Sequence, residues 1–179
     1  NISEKYSYNS DYQIKENTFT REGYTFKSWN TKSDGTGTSY NENQIVKFTK
    51  TNMVLYAIWE GNEITITYKD GTNTTTKKLV VGSSDKIITC PFTKEGYTFK
   101  NWNTSSDGKG DSYSSNTVNT FTKDTTLYAI WNINHYRVNY STNSGYISVS
   151  NTYPVYNETI KVSLYPSEGK KLSKLIITI

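Results

Sequence analysis

Short runs in which apolar and polar residues alternate, cut by Gly, Asn and Asp, set the pattern of this chain. Ile64-Thr65-Ile66-Thr67-Tyr68 and Arg137-Val138-Asn139-Tyr140 send every second side chain to one face, as half-buried strands do. Residues 64–68 and 77–81 flank Asp70-Gly71, a dipeptide suited to turns that need positive φ, and are read as a strand pair. The pattern predicts a folded, mainly β chain, with an α+β arrangement as the alternative.

The pattern also repeats. Phe19-Thr20-Arg21-Glu22-Gly23-Tyr24-Thr25-Phe26-Lys27-Ser28-Trp29-Asn30-Thr31 returns 73 residues later as Phe92-Thr93-Lys94-Glu95-Gly96-Tyr97-Thr98-Phe99-Lys100-Asn101-Trp102-Asn103-Thr104. Between residues 19–48 and 92–121, 19 of 30 positions are identical, too many for chance. Leu55-Tyr56-Ala57-Ile58-Trp59 returns as Leu127-Tyr128-Ala129-Ile130-Trp131 at an offset of 72, so the first copy carries one additional residue after Phe48, as a surface loop tolerates. The strand pair over 64–68 and 77–81 leads the second copy, whereas the first copy starts at the counterpart of the later strand, around residues 5–8. Residues 1–60 and 61–132 are therefore read as two units, the first lacking its opening strand. Residues 133–179 contain neither repeated word and are read as a distinct β-rich module. Its strands are expected at 136–140, 146–149, 159–164 and 172–179, in a small β-sandwich or meander.

Within each unit the recurring residues are large and apolar, and they are spaced for burial. Tyr24 and Phe26 alternate until the phase slips before Trp29, which predicts a bend or bulge. Leu55, Ala57 and Trp59 are expected on one face of a closing strand, as are Leu127, Ala129 and Trp131. The expected core is Tyr24, Phe26, Trp29, Leu55 and Trp59 in one unit and Tyr97, Phe99, Trp102, Leu127 and Trp131 in the other.

Composition changes the picture in one respect. With 34% hydrophobic residues and 16 Tyr against 6 Phe, several small cores fit better than one large one. Aromatic and β-branched richness argues against disorder. The single Cys90, beside Pro91 and Phe92, forms no internal disulfide and reads as a small buried hydrophobe. Neither a signal peptide nor a membrane span stands out, and the start at Asn1 with the strand-like finish over 172–179 reads as a piece of something longer.

The ordered words Glu-Gly-Tyr-Thr-Phe-x-x-Trp-Asn-Thr, Asp-Gly-x-Gly, Tyr and Leu-Tyr-Ala-Ile-Trp resemble the internalin B-repeat, or Listeria-Bacteroides repeat, over about residues 5–60 and 63–131. Where that family usually has Gly before the Trp, this chain has Ser28 and Asn101. The resemblance implies tandem β-grasp-like domains on secreted or wall-attached bacterial proteins, with no catalytic role as a class. Residues 145–150 and 161–169 are similar to another small bacterial surface β-module.

Candidate chemistry is sparse. The lone His135 lies in an expected strand with no nucleophile motif beside it. Asp34-Gly35-Thr36-Gly37 and Asp107-Gly108-Lys109-Gly110 offer one carboxylate each, too few oxygens for calcium, so plain turns are expected. No catalytic, cofactor or metal residue is assigned, and the chain is expected not to be an enzyme. Tyr6, Tyr8, Tyr12, Tyr146, Tyr153 and Tyr156 lie outside the repeated words, and Tyr is a common interface residue. The net charge of +4 divides as 7 basic and 7 acidic residues over 1–60, 8 and 7 over 61–132, and 5 and 2 over 133–179. Candidate partner contacts are therefore Tyr146, Tyr153, Tyr156, Lys170, Lys171 and Lys174. The partners they suit are a host surface protein, a glycan such as a glycosaminoglycan, or a cell-wall polyanion; nucleic acid is not expected. The expected role is a spacer and adhesion region of an extracellular bacterial protein, with direct binding by the array as the alternative.

Overall fold

The computed structural model describes residues 3–49 and 52–171, and every regular element among them is a β-strand. The first repeat supplies β1 (Asp11–Gln13), β2 (Tyr24–Asn30), β3 (Ser39–Tyr40), β4 (Ile45–Lys47) and β5 (Tyr56–Gly61). The second supplies β6 (Glu63–Asp70), β7 (Asn73–Val80), β8 (Ser84–Lys86), β9 (Tyr97–Asn103), β10 (Ser112–Tyr113), β11 (Val118–Thr120) and β12 (Thr125–Ile133). The pair β13 (Tyr146–Val149) and β14 (Val162–Tyr165) follows. The chain is mainly β, and the α+β alternative fails among the described residues.

Repeat 2 forms a five-stranded sheet in the order β10-β9-β12-β6-β7, with β8 and β11 paired beside it. Its first and last strands, β6 and β12, lie next to each other and parallel, from Ile66 opposite Thr125 to Lys69 opposite Tyr128. That is the strand arrangement of a β-grasp, here built without a helix. The β6–β7 hairpin turns at Gly71, whose φ of 57° suits a residue without a Cβ. The phase slip before the Trp is a bulge in both repeats. Phe26 pairs with Trp59 and Ser28 with Ile58, leaving Lys27 over; Phe99 pairs with Trp131 and Asn101 with Ile130, leaving Lys100 over.

The alternation along β6 buries Ile64, Ile66 and Tyr68, which join Val81, Ile87, Trp102, Phe121 and Leu127 in one core. Burial of side chains of this size contributes roughly 1.5–3 kcal/mol each. The Tyr68 ring meets Trp102 edge-on at 4.8 Å, and the Trp102 indole N–H donates to the Ile88 carbonyl at 3.0 Å. Trp102 and Leu127 are fully buried, whereas Tyr97, Phe99 and Trp131 are half-buried.

Repeat 1 keeps the local geometry with a thinner core. Its sheet is β3-β2-β5, with β1 paired to β4, and among the described residues no strand lies beside β5 as β6 lies beside β12. Trp29 still donates to the Lys15 carbonyl at 2.9 Å, the counterpart of the Trp102 bond. Yet Tyr24, Phe26, Trp29, Leu55 and Trp59 are all only half-buried. Leu55 also stands outside the closing strand in which it was expected, since β5 begins at Tyr56. In repeat 2 the strand extends back to Thr125 because β6 pairs with Thr125–Tyr128; Leu55 has no such neighbour among the described residues.

In the third segment β13 coincides with the strand expected over 146–149, β14 starts at Val162, three residues later than the strand expected over 159–164, and Gly145 turns at a φ of 86°. The strand expected over 136–140 is reduced to a loose pairing. His135 bridges Val155, Tyr136 N–H donates to the Pro154 carbonyl, and Val138 N–H donates to the Thr152 carbonyl. Pro154 has no N–H to return, so the ladder loses a bond there. The strand expected over 172–179 lies outside the described residues.

Candidate functional site at the loops and junctions

Among the described residues, the sequence-predicted partner contacts fall on β13, on the connection between β13 and β14, and beyond the turn at Gly169. Tyr146 is 62% exposed and sits opposite Tyr165 on the β13–β14 hairpin, with ring centroids 5.5 Å apart. Tyr153, 60% exposed, stacks on His135 at 5.0 Å. Lys170 and Lys171 are exposed beyond the turn at Gly169, and Lys174 lies outside the described residues. Tyr156 has different surroundings. It is half-buried against the ring of Tyr97 at 6.2 Å, and burial followed by its hydrogen bond with Glu95 raises its pKa. Of the remaining Tyr candidates, Tyr6 and Tyr12 cluster on Phe48, and the Tyr12 hydroxyl donates to Glu4 at 2.7 Å. Burial and that bond push the Tyr12 pKa up to about 12. Tyr8 is exposed.

His135 is exposed, and its Nδ1 lies 3.4 Å from the Tyr153 carbonyl. Cys90 is half-buried against the repeat 2 core, and burial raises its thiol pKa. Among the described residues no three His, Cys, Asp or Glu side chains come together, and no helix is long and apolar enough to cross a membrane.

The Asp-Gly-x-Gly loops are organised by a residue to which the sequence reading assigned no role. Asn103 is fully buried at the end of β9. Its amide nitrogen donates to the carbonyls of Gly108 and Gly110 and to the Ser112 hydroxyl, and its Oδ1 accepts from the backbone N–H groups of Ser105 and Gly110. Asn30 makes the same set in repeat 1, to Gly35, Gly37, Ser39 and Lys32. A methyl at Gly110 would collide with Thr104 and lie 2.9 Å from Asn103 Oδ1, so the second Gly is needed for space. The loop carboxylates are held by their own turns. Asp34 Oδ1 accepts from the Thr36 N–H and hydroxyl, and Asp107 Oδ1 accepts from the Ser105 hydroxyl and Lys109 N–H; these bonds lower both pKa values. The recurring Asn at an invariant spacing from the two Gly residues was the available signal.

The junctions are equally specific. Asn62 alone separates β5 from β6, so the chain passes from the last strand of one repeat to the first strand of the next through a single residue. Asn62 N–H donates to the Gly23 carbonyl at 2.9 Å, its carbonyl accepts from Val81 N–H at 3.0 Å, and its Oδ1 accepts from the Thr25 hydroxyl at 2.6 Å. Gly23 has a φ of 76°, and a Cβ there would lie 3.1 Å from a Val81 methyl. After β12, Asn134 N–H donates to the Gly96 carbonyl at 2.8 Å, its carbonyl accepts from Tyr156 N–H at 2.9 Å, and its Oδ1 accepts from the Thr98 hydroxyl at 2.6 Å.

Comparison with known proteins follows this architecture. The Listeria-Bacteroides repeat domain matches residues 1–58 and again residues 65–130. A protein of Evansella cellulosilytica named as a Gly-rich membrane protein is 34% identical over 167 residues, covering 87% of this chain and 19% of that protein. The chain thus spans about a fifth of the length of this relative. No solved structure matches significantly. With two matched copies that together cover most of its length, the chain belongs to the Listeria-Bacteroides repeat family.

Proposed function

We propose that this chain is a non-catalytic spacer region of a bacterial cell-surface or secreted protein, holding an adhesive part of that protein away from the cell. The observation that carries the reading is the parallel placement of β6 and β12. Ile66 pairs with Thr125, so Glu63 stands level with Thr122 and the end of β12 at Ile133 lies eleven residues further on. At about 3.3 Å per residue the chain leaves the repeat about 35 Å beyond where it came in. A one-residue link then starts the next unit, which favours extension over compaction. Family membership and the name of the E. cellulosilytica relative, a membrane protein, support the surface location.

The test uses the full-length protein on cells. Deleting the repeats should abolish adhesion, an unrelated stiff repeat of equal length should restore it, and a flexible Gly/Ser linker should restore it only weakly. Equal restoration by the flexible linker would overturn the spacer reading.

A second reading, direct binding of a host protein, a glycosaminoglycan or a wall polyanion, is favoured by one observation. Exposed Tyr146, Tyr153 and Tyr165 stand in the same segment as the basic excess. Saturable binding of residues 1–179 to heparin or to a host surface protein, lost in Tyr146→Ala with Tyr153→Ala, would establish it.

A further inference from the structure

The third segment lacks the repeated words, yet it is attached like a repeat. At the first junction the residue after Asn62, Glu63, pairs with Val80, and the next residue, Val81, returns its N–H to Asn62 and covers Gly23. At the second junction the residue after Asn134, His135, bridges Val155, and the next residue, Tyr156, returns its N–H to Asn134 and covers Gly96. A methyl at Gly96 would run into the Tyr156 ring. Thr25 and Thr98 hold the two Asn side chains at the same 2.6 Å. The paired residues are 17 positions apart in one case (Glu63, Val80) and 20 in the other (His135, Val155), and the covering side chain changes from Val to Tyr.

We infer that the end of each repeat is a docking socket, formed by a positive-φ Gly, a Thr two residues on and the Asn after the closing strand, and that it accepts modules of unlike sequence. The socket reads backbone geometry plus one covering side chain. Its occupant is a module whose chain pairs with a later segment at once after the Asn, as a strand or as a single bridge, the paired residue being followed by a side chain large enough to seat on the Gly. Tyr156 is that side chain in the third segment, an intramolecular docking residue and not a contact for an outside partner. The inference goes beyond the spacer reading, since a socket of this kind would couple modules in a binding array equally well.

The experiment exchanges the covering side chain in the whole chain and reads coupling by NMR. Backbone relaxation gives the rotational correlation time of residues 146–165 against that of residues 97–131, and hydrogen exchange gives the protection of the Tyr156 amide. Tyr156→Val, which installs the first junction's side chain, should keep the two correlation times equal and the amide at position 156 protected. Tyr156→Gly and Gly96→Leu should let residues 146–165 tumble faster and cut that protection at least tenfold, while the β13–β14 amides stay protected. If Tyr156→Val uncouples the segment as fully as Tyr156→Gly, the socket is specific for Tyr and the inference fails. Unchanged coupling in both Tyr156→Gly and Gly96→Leu also overturns it. If Gly96→Leu unfolds β9, the Tyr156 pair of variants decides alone.

Discussion

Asn103→Ala removes one fully buried side chain and five hydrogen-bond contacts at once, three of which share the two N–H groups of its amide. The lost donations leave the carbonyls of Gly108 and Gly110 and the Ser112 hydroxyl without that partner; the lost acceptor leaves the N–H groups of Ser105 and Gly110 without theirs. Each buried group so abandoned costs about 1–3 kcal/mol, but Gly110 and Ser112 are exposed and water can reach part of the set. A net loss of about 2–4 kcal/mol follows. Against the roughly 4–10 kcal/mol that a unit of this size holds, that is a large share. Urea titration followed by Trp fluorescence measures the loss, and hydrogen exchange at Ser105 and Gly110 localises it. Asn103→Asp has nearly the same shape and can still accept, but it cannot donate to the two carbonyls, so it should fall about as far. A loss below about 1 kcal/mol for Asn103→Ala, or full tolerance of Asn103→Asp, would refute the reasoning.

Further outcomes follow from the same geometry. Asn101 Oδ1 is buried without a hydrogen-bond partner, whereas Ser28 fills the equivalent position, so Asn101→Ser should raise the stability of repeat 2 by roughly 1 kcal/mol in the urea titration. Trp29 is half-buried and Trp102 fully buried, so acrylamide should quench a Trp29-only variant more strongly than a Trp102-only variant, and the β2 amides should exchange faster than those of β9. Glu158 accepts from the Asn151 amide and the Val155 N–H, which holds its carboxyl below the usual glutamate range, and turn bonds likewise hold Asp34 and Asp107 below the usual aspartate range. A carboxylate with a depressed folded pKa adds stability above its unfolded pKa and loses it as pH falls through the folded value. Thermal stability should therefore decline as pH drops below about 4.5, and Glu158→Gln should flatten part of that decline.

Much of the fold could be read in the chain because its informative residues occur twice. The alternation over 64–68 became β6, the phase slip before each Trp became the bulges at Lys27 and Lys100, and the Asp70-Gly71 dipeptide became a hairpin turn. What escaped depends on contacts between distant residues. Leu55 and Leu127 share one sequence word, but only Leu127 lies in a strand covered by β6, and local pattern cannot tell them apart. Pro154 spoiled a strand pairing that Tyr136, Val138 and Tyr140 alone would suggest. Tyr156 looked unassigned because its partner is a glycine sixty residues earlier, Gly96, whose role is to leave space.

One-residue junctions are proposed to hold successive units in a fixed, extended relation. Spin labels at the equivalent exposed loop positions Thr36 and Lys109, with Cys90 replaced by Ala, report it directly through pulsed dipolar distance measurement. A single narrow distribution centred at about 35 Å or beyond is the expected result. A broad distribution reaching down to short distances, as a flexible linker would give, would contradict the account.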